Sequence, residues 1–122
     1  QMINFINNIK PMKKLEFLII GKNEYILKTL IRVINANEEW HGVGFSDENL
    51  AKDYFLKYSL DIVLLCSGID EVTEKELQTL FTSQKPEIEI ILHYGGGSGL
   101  LKCEILMALE NRSQRKLVQN QV

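Results

Sequence analysis

The segment IVLLC, residues 62–66, carries five apolar residues with no polar residue between them. A short apolar run without alternation is typical of a parallel strand whose two faces are both covered. We therefore predict that residues 62–66 form the central and most buried strand of a parallel sheet. Such a strand requires helices on both sides of the sheet.

Short apolar runs alternate with amphipathic segments of helix length on both sides of this strand. Residues 15–20 and 40–45 precede it, and residues 88–93 follow it. Within the intervening segments, apolar residues recur at the spacing of one buried helix face. This alternation predicts an α/β fold, because parallel strands must be joined by crossover connections. We predict an open, doubly wound parallel sheet of four strands in the order 2-1-3-4, flanked by helices.

Residues that favour helix N-caps mark where three of the helices begin. Ser46 or Asp47 can cap the second helix. The third helix carries Thr73 followed three residues later by Glu76, which is the capping-box pattern, so we predict Thr73 as its N-cap. Ser98 is the predicted cap of the last helix.

The length and composition indicate one domain. The chain has 122 residues, of which 45% are hydrophobic, enough for a core without disulfides or a structural metal. We assign residues 12–111 to the α/β domain. Residues 1–11 are predicted to be an extension that is either without order or paired with a sheet edge. Residues 112–122 are polar and carry too few apolar residues to predict an ordered segment.

Charge, hydropathy and cysteine content exclude several classes of function. The net charge of −2 and the dispersed basic residues argue against nucleic-acid binding. No apolar run approaches the roughly 20 residues that span a bilayer, so we expect no membrane partner. Cys66 and Cys103 show neither a CxxC pair nor a metal-ligand spacing. We therefore predict a cytoplasmic protein with reduced thiols, no metal and no cofactor.

Two strand-containing segments resemble the receiver domains of two-component response regulators, which have a flavodoxin-like fold. The first is FLIIGKNE, residues 17–24, which is similar to the receiver strand that ends in an acidic pair. The second is DIVLLC, residues 61–66, which is similar to the strand that delivers the phosphoacceptor aspartate. The resemblance extends from Leu15 to about His93 and covers four of the five βα units of a receiver.

The chain departs from the receiver pattern at every position that carries its chemistry. Gly21 and Lys22 stand where receivers have the acidic pair, Cys66 replaces the phosphoacceptor, and His93 replaces the hydroxyl residue. No fifth strand with its lysine fits between Tyr94 and the last helix. The resemblance therefore implies a truncated, degenerate receiver without catalytic residues. We expect a non-enzymatic pseudo-receiver that regulates or docks to a signalling partner.

A glycine-rich loop after the fourth strand supports an alternative function. It could present backbone amides to a small anion, with Cys66 and His93 nearby, and could then belong to a ligand binder or an enzyme. The simpler interpretation is a turn that needs positive φ angles, beside a cysteine that packs as a small hydrophobe. Convergence of Cys66 and His93 on the loop would favour the alternative. The candidate anion-binding residues are Gly95, Gly96, Gly97, Ser98 and Gly99.

A four-stranded sheet that ends at strand 4 leaves the outer edge of that strand without a partner. We expect a homodimer that covers this edge, formed through strand 4 itself or through the last helix. The segment 3–6 could alternatively add to the edge as an extra strand.

Overall fold

The computed structural model describes residues 13–120 of the chain. Four strands alternate with four helices. The strands are β1 (Leu15–Ile20), β2 (Trp40–Phe45), β3 (Ile62–Cys66) and β4 (Glu89–His93). The helices are α1 (Glu24–Asn35), α2 (Glu48–Lys57), α3 (Glu71–Gln84) and α4 (Ser98–Asn120).

All four strands are parallel and follow the order β2-β1-β3-β4, which confirms the predicted topology of an open, flavodoxin-like sheet. The register places Leu64 of β3 beside Ile19 of β1 and Ile91 of β4. The fourth strand begins one residue later than predicted. Ile88 instead lies in a turn, where its amide donates to the carbonyl of Lys85 over 3.0 Å.

The helices cover both faces of the sheet because alternate strand residues point to opposite sides. All five residues of β3 are buried. Ile62, Leu64 and Cys66 belong to the core that packs against α1 and α4. Val63 and Leu65 belong to the core that packs against α2 and α3. The unbroken apolar run therefore contributes side chains to two separate cores.

The start of α3 differs from the prediction. Asp70, not Thr73, is the N-cap: its carboxylate accepts the Thr73 amide over 2.9 Å and the Thr73 hydroxyl over 2.8 Å. Thr73 therefore lies inside the first turn. Val72 is 67% exposed, so it does not pack against the buried Leu77 as the hydrophobic staple expected for a cap at Thr73. Aspartate is at least as good an N-cap as threonine, so the earlier of two overlapping capping signals determines the helix start.

The polar segment predicted as a C-terminal tail forms the second half of α4, which continues to Asn120. Arg112 pairs with Asp61 at 3.0 Å, and Arg115 contacts Glu89. These ion pairs hold the helix against the starts of β3 and β4. The prediction for this segment considered only its apolar content and therefore missed them. The predicted extension, residues 1–11, lies outside the described residues.

Within residues 13–120, no helix combines the length and the apolar character needed to cross a membrane.

Asp61 provides a test of the docked α4. One carboxylate oxygen accepts the Glu16 amide over 2.9 Å and the other pairs with Arg112. Because hydrogen bonds to charged groups contribute about 1.5–3 kcal/mol, we expect Asp61→Ala to lower the free energy of unfolding by about 2 kcal/mol in urea denaturation.

We expect Arg112→Ala to lower the free energy of unfolding by about 1 kcal/mol. The exposed control Lys116→Ala should lower it by less than about 0.5 kcal/mol. Equal effects of the two substitutions would contradict the docking of this half of α4.

Candidate ligand pocket

The predicted site residues Cys66 and His93 are neighbours across two paired strands. The register of β3 and β4 places them opposite each other at the carboxyl ends of the strands. Cys66 packs in the core beneath α1 and α4, and strand alternation puts His93, like Ile91, on this same face. Ligands of open parallel sheets bind at this edge.

A cavity of about 300 Å³ lies at this edge between α1 and the glycine-rich loop. This volume is at the lower end of the usual range for small-molecule pockets. The structure thus brings Cys66 and His93 together with most of the loop, which is the convergence that favours a ligand site. The lining residues from the strands and loop are Cys66, Ser67, His93, Gly95, Gly96, Gly97 and Ser98. Those from α1 are Tyr25, Ile26, Thr29, Leu30 and Val33.

Gly21 and Lys22 do not line this cavity. Gly21 packs against Cys66, where an added Cβ would lie 3.2 Å from the Cys66 Cβ. Lys22 extends toward α2, donates to the Ser46 carbonyl over 3.0 Å and pairs with Glu48 at 2.5 Å. This pairing lowers the pKa of Glu48. The two positions that the resemblance matches to the receiver acidic pair thus hold a close-packed glycine and a lysine that is already paired.

The glycines of the loop have different structural requirements. Gly95 and Gly96 adopt φ angles of 133° and 99°, which favour glycine, and a Cβ on Gly96 would lie 2.5 Å from Leu100. Gly97 and Gly99 have neither a positive φ nor an atom within 4 Å of an added Cβ. Positive φ angles therefore account for two of the four glycines. Gly97 lines the cavity and occupies the N-cap position of α4, where its carbonyl accepts the Leu101 amide over 3.2 Å and where glycine is a favoured residue. Gly99 lines a neighbouring cavity instead.

The first turn of α4 is exposed to the loop without a capping side chain. Ser98 is the first residue of the helix, so the prediction that it is the N-cap is wrong. The other three helices begin after Asn23, Asp47 and Asp70, whose side chains accept first-turn amides. Among residues 13–120, no side chain accepts a hydrogen bond from the first turn of α4. Its amides are therefore available to another acceptor.

His93 is buried, with 4% of its side chain exposed, and its Nδ1 lies 2.6 Å from Oε1 of Glu104 on α4. We assign the Nδ1 proton to this bond, which leaves Nε2 on the other side of the ring. Nε2 makes no hydrogen bond with the described residues. No fully enclosed side-chain nitrogen or oxygen among them lacks a partner, so Nε2 keeps some accessible surface, and His93 lines the cavity.

Glu104 is a site residue that sequence reasoning missed. It lies eleven positions after His93 and on a different element. The only signal for it in the sequence is that an acidic residue directly precedes Ile105, and Ile105 lies on the side of α4 that meets the sheet. Without the helix orientation, nothing in the pattern connects Glu104 with His93.

Cys66 is not an activated nucleophile. Burial raises the pKa of its thiol to about 11. No hydrogen bond joins the thiol to His93, whose Nδ1 is already paired with Glu104. Thiolate chemistry needs a lowered pKa or an adjacent base, and this thiol has neither. Among residues 13–120, no group of three histidine, cysteine, aspartate or glutamate side chains is arranged to hold a metal.

The two cysteines provide a test of this assignment. Cys103 is exposed and Cys66 is buried. With a pKa of about 11, only about one Cys66 thiol in a thousand is ionised at pH 8, and this fraction rises with pH. We expect iodoacetamide at pH 8 to modify Cys103 at least about 100-fold faster than Cys66, as measured by peptide mass spectrometry.

Denaturation in urea should make the two rates similar. A Cys66 that reacts in the folded Cys103→Ser variant as fast as a free thiol would contradict the buried, protonated assignment.

The chain matches no protein-family model, no curated protein and no solved structure.

Proposed function

We propose that this domain is a receiver-like, non-enzymatic binding module that responds to a small ligand in the cavity instead of to aspartyl phosphorylation. The observation that carries the proposal is the convergence of Cys66, His93 and residues 95–98 on one cavity at the carboxyl edge of the sheet. In open α/β sheets, this edge is the usual place for ligands.

The side chains around the cavity support binding more strongly than catalysis. Among the described residues, one ring nitrogen of His93 has no hydrogen-bond partner, and no side chain caps the first turn of α4. Apolar side chains of α1 form the opposite wall. A small-molecule site typically combines an apolar lining with a few oriented polar groups. The raised pKa of Cys66 argues against covalent catalysis.

The degenerate receiver positions lack the groups that aspartyl phosphorylation requires. A receiver-type reaction needs a carboxylate nucleophile and a Mg²⁺ held by oxygen ligands. Cys66 supplies no carboxylate, and Lys22 beside Gly21 would repel a cation. The proposed module therefore has an open α/β sheet similar to that of receivers but not the residues of a receiver phosphorylation site.

An NMR titration tests ligand binding. We expect at least one of benzoate, benzamide and benzyl alcohol to shift the amide signals of Ser67, Gly96 and Gly97, because these residues line the cavity. Ile26→Trp should abolish the shifts by filling the cavity from α1. Leu56→Trp, at an exposed leucine of α2 on the opposite face of the sheet, is the matched control.

Two results would contradict the proposal: no shift at these amides with any of the three compounds, or shifts that persist unchanged in the Ile26→Trp variant.

A second candidate function is self-association through α4 and the adjacent edge of the sheet. β4 is the last strand of the sheet and has a neighbour on one side only. The outward side of α4 carries exposed apolar residues along its length, which a monomer of this size would leave in contact with water. We propose a second copy as the partner, because a two-fold axis would pair identical edges and identical helix faces. The exposed apolar residues are Leu100, Leu106, Met107, Leu117 and Val118.

Light scattering after size-exclusion chromatography tests this candidate. We expect a dimer at tens of micromolar and a monomer for Met107→Glu, because a charge would be buried in the interface. Val72→Glu is the matched control, since Val72 on α3 and Met107 on α4 are both 67% exposed. A monomeric wild-type protein, or an equal effect of both substitutions, would rule out an α4 dimer.

A further inference from the structure

We infer that the ligand of this cavity is an uncharged phenol whose hydroxyl donates a hydrogen bond to His93 Nε2. This inference rests on the proposed function and specifies the chemistry of its ligand. The hydroxyl lies at the end of the cavity formed by the strands, and the aromatic ring lies against α1.

His93 supplies a hydrogen-bond acceptor to the cavity. In a neutral imidazole, one ring nitrogen carries the proton and the other carries a lone pair. The Nδ1 proton is directed at Oε1 of Glu104, 2.6 Å away, because an ionised carboxylate can only accept. Nε2 therefore carries the lone pair, and a ligand group that binds it must be a donor.

Nε2 belongs to a buried side chain and has no partner among the described residues. Only 4% of the His93 side chain is exposed, and its one hydrogen bond is made by Nδ1. A buried acceptor without a partner carries a cost in free energy, which a donor removes. Because Nε2 keeps some accessible surface and His93 lines the cavity, a donor bound in the cavity can reach this nitrogen.

The contact with Glu104 makes Nε2 a good acceptor. A carboxylate that accepts from one ring nitrogen holds the imidazole in one orientation and one tautomer, and it makes the other nitrogen more basic. Glu104 also places a negative charge across the ring from the cavity. An anionic ligand would therefore meet a lone pair with a negative charge behind it, so carboxylates and phosphates are disfavoured.

The lining favours a ligand without charge. None of the described residues that form the cavity is a lysine, an arginine, an aspartate or a glutamate. An ion that leaves water without a charged partner loses free energy of solvation that nothing here replaces. The Cys66 thiol stays protonated and adds a small apolar surface.

The α1 wall favours an aromatic body of limited size. Tyr25, Ile26, Leu30 and Val33 present mainly hydrocarbon to the cavity, and Tyr25 adds an aromatic ring. A volume of about 300 Å³ accommodates a single substituted ring. A water molecule would satisfy Nε2 but leave this wall wet, whereas a phenol donates to Nε2 and covers the wall.

NMR titrations of the full chain at pH 8 with phenol, anisole, toluene and benzoate test the inference. Anisole is the matched control for the donor, since methylation removes the hydroxyl proton and keeps the oxygen. Toluene is more apolar than phenol, so hydrophobic contact alone would favour toluene. From the amide signals of Ser67, Gly96 and Gly97, we expect phenol to bind at least about fivefold more tightly than each of the other three, because one net hydrogen bond is worth about this factor.

The histidine ring nitrogens provide a direct measurement of the proposed hydrogen bond. Long-range ¹H–¹⁵N spectra should show His93 Nε2 as an unprotonated nitrogen, and its signal should move with phenol but not with toluene. His41, the other histidine of the chain, is the internal control. Its Nδ1 also lies 2.6 Å from a carboxylate oxygen, that of Glu16, but its side chain is 46% exposed and does not line the cavity. Its signals should move with neither compound.

The variant His93→Phe removes the acceptor and keeps a ring of similar size. We expect it to bind phenol no more tightly than toluene. Because this substitution also leaves Glu104 without its partner, the variant can fail to fold. The ring-nitrogen spectra of the unaltered protein then decide the question.

The outcomes separate this inference from the proposed function. Equal binding of phenol, anisole and toluene, tighter binding of benzoate, or a protonated His93 Nε2 in the free protein would each overturn the phenol and leave the ligand pocket. No shift with any of the four compounds would also overturn it. The pocket itself is rejected only if benzamide and benzyl alcohol leave the same amides unchanged as well.

Discussion

The burial of β3 on both of its faces is the constraint on which the rest of the structure depends. Each of its five residues is buried, so neither face can be left to water and the chain must supply helices to both sides. This requirement leads to the alternation of strands and helices and to crossover connections. It also separates the interior into two cores, one under α1 and α4 and one under α2 and α3.

The alternation of side chains between the two faces of the sheet determines where the candidate site lies. Because Cys66 follows Ile62 and Leu64 on the face of α1 and α4, its side chain meets the loop that leads into α4. His93 reaches the same place because β4 pairs with β3 in register. A shift of one residue in either strand would turn that side chain toward α2 and α3. The pocket is thus a consequence of strand register more than of any local motif.

The parts predictable from the sequence are those that depend on local hydrophobic pattern. Three of the four strands have the predicted bounds, and the strand order is confirmed. Errors arose where two signals overlapped or where the deciding contact is distant along the chain. Asp70 and Thr73 both favour a helix start, and only the folded backbone selects between them. The ordered end of α4 depends on Arg112 and Asp61, which are far apart in sequence. The His93–Glu104 contact depends on the rotation of α4, which periodicity describes only approximately.

The size and charge of a few side chains at the carboxyl ends of β1 and β3 determine how this edge packs. A carboxylate at position 66 would have to be solvated or paired at this edge, whereas the Cys66 thiol stays neutral and tolerates burial. Gly21 packs directly on the uncharged Cys66, and Lys22 turns toward Glu48. The main polar groups at this edge are then the His93 ring and the backbone amides at the start of α4.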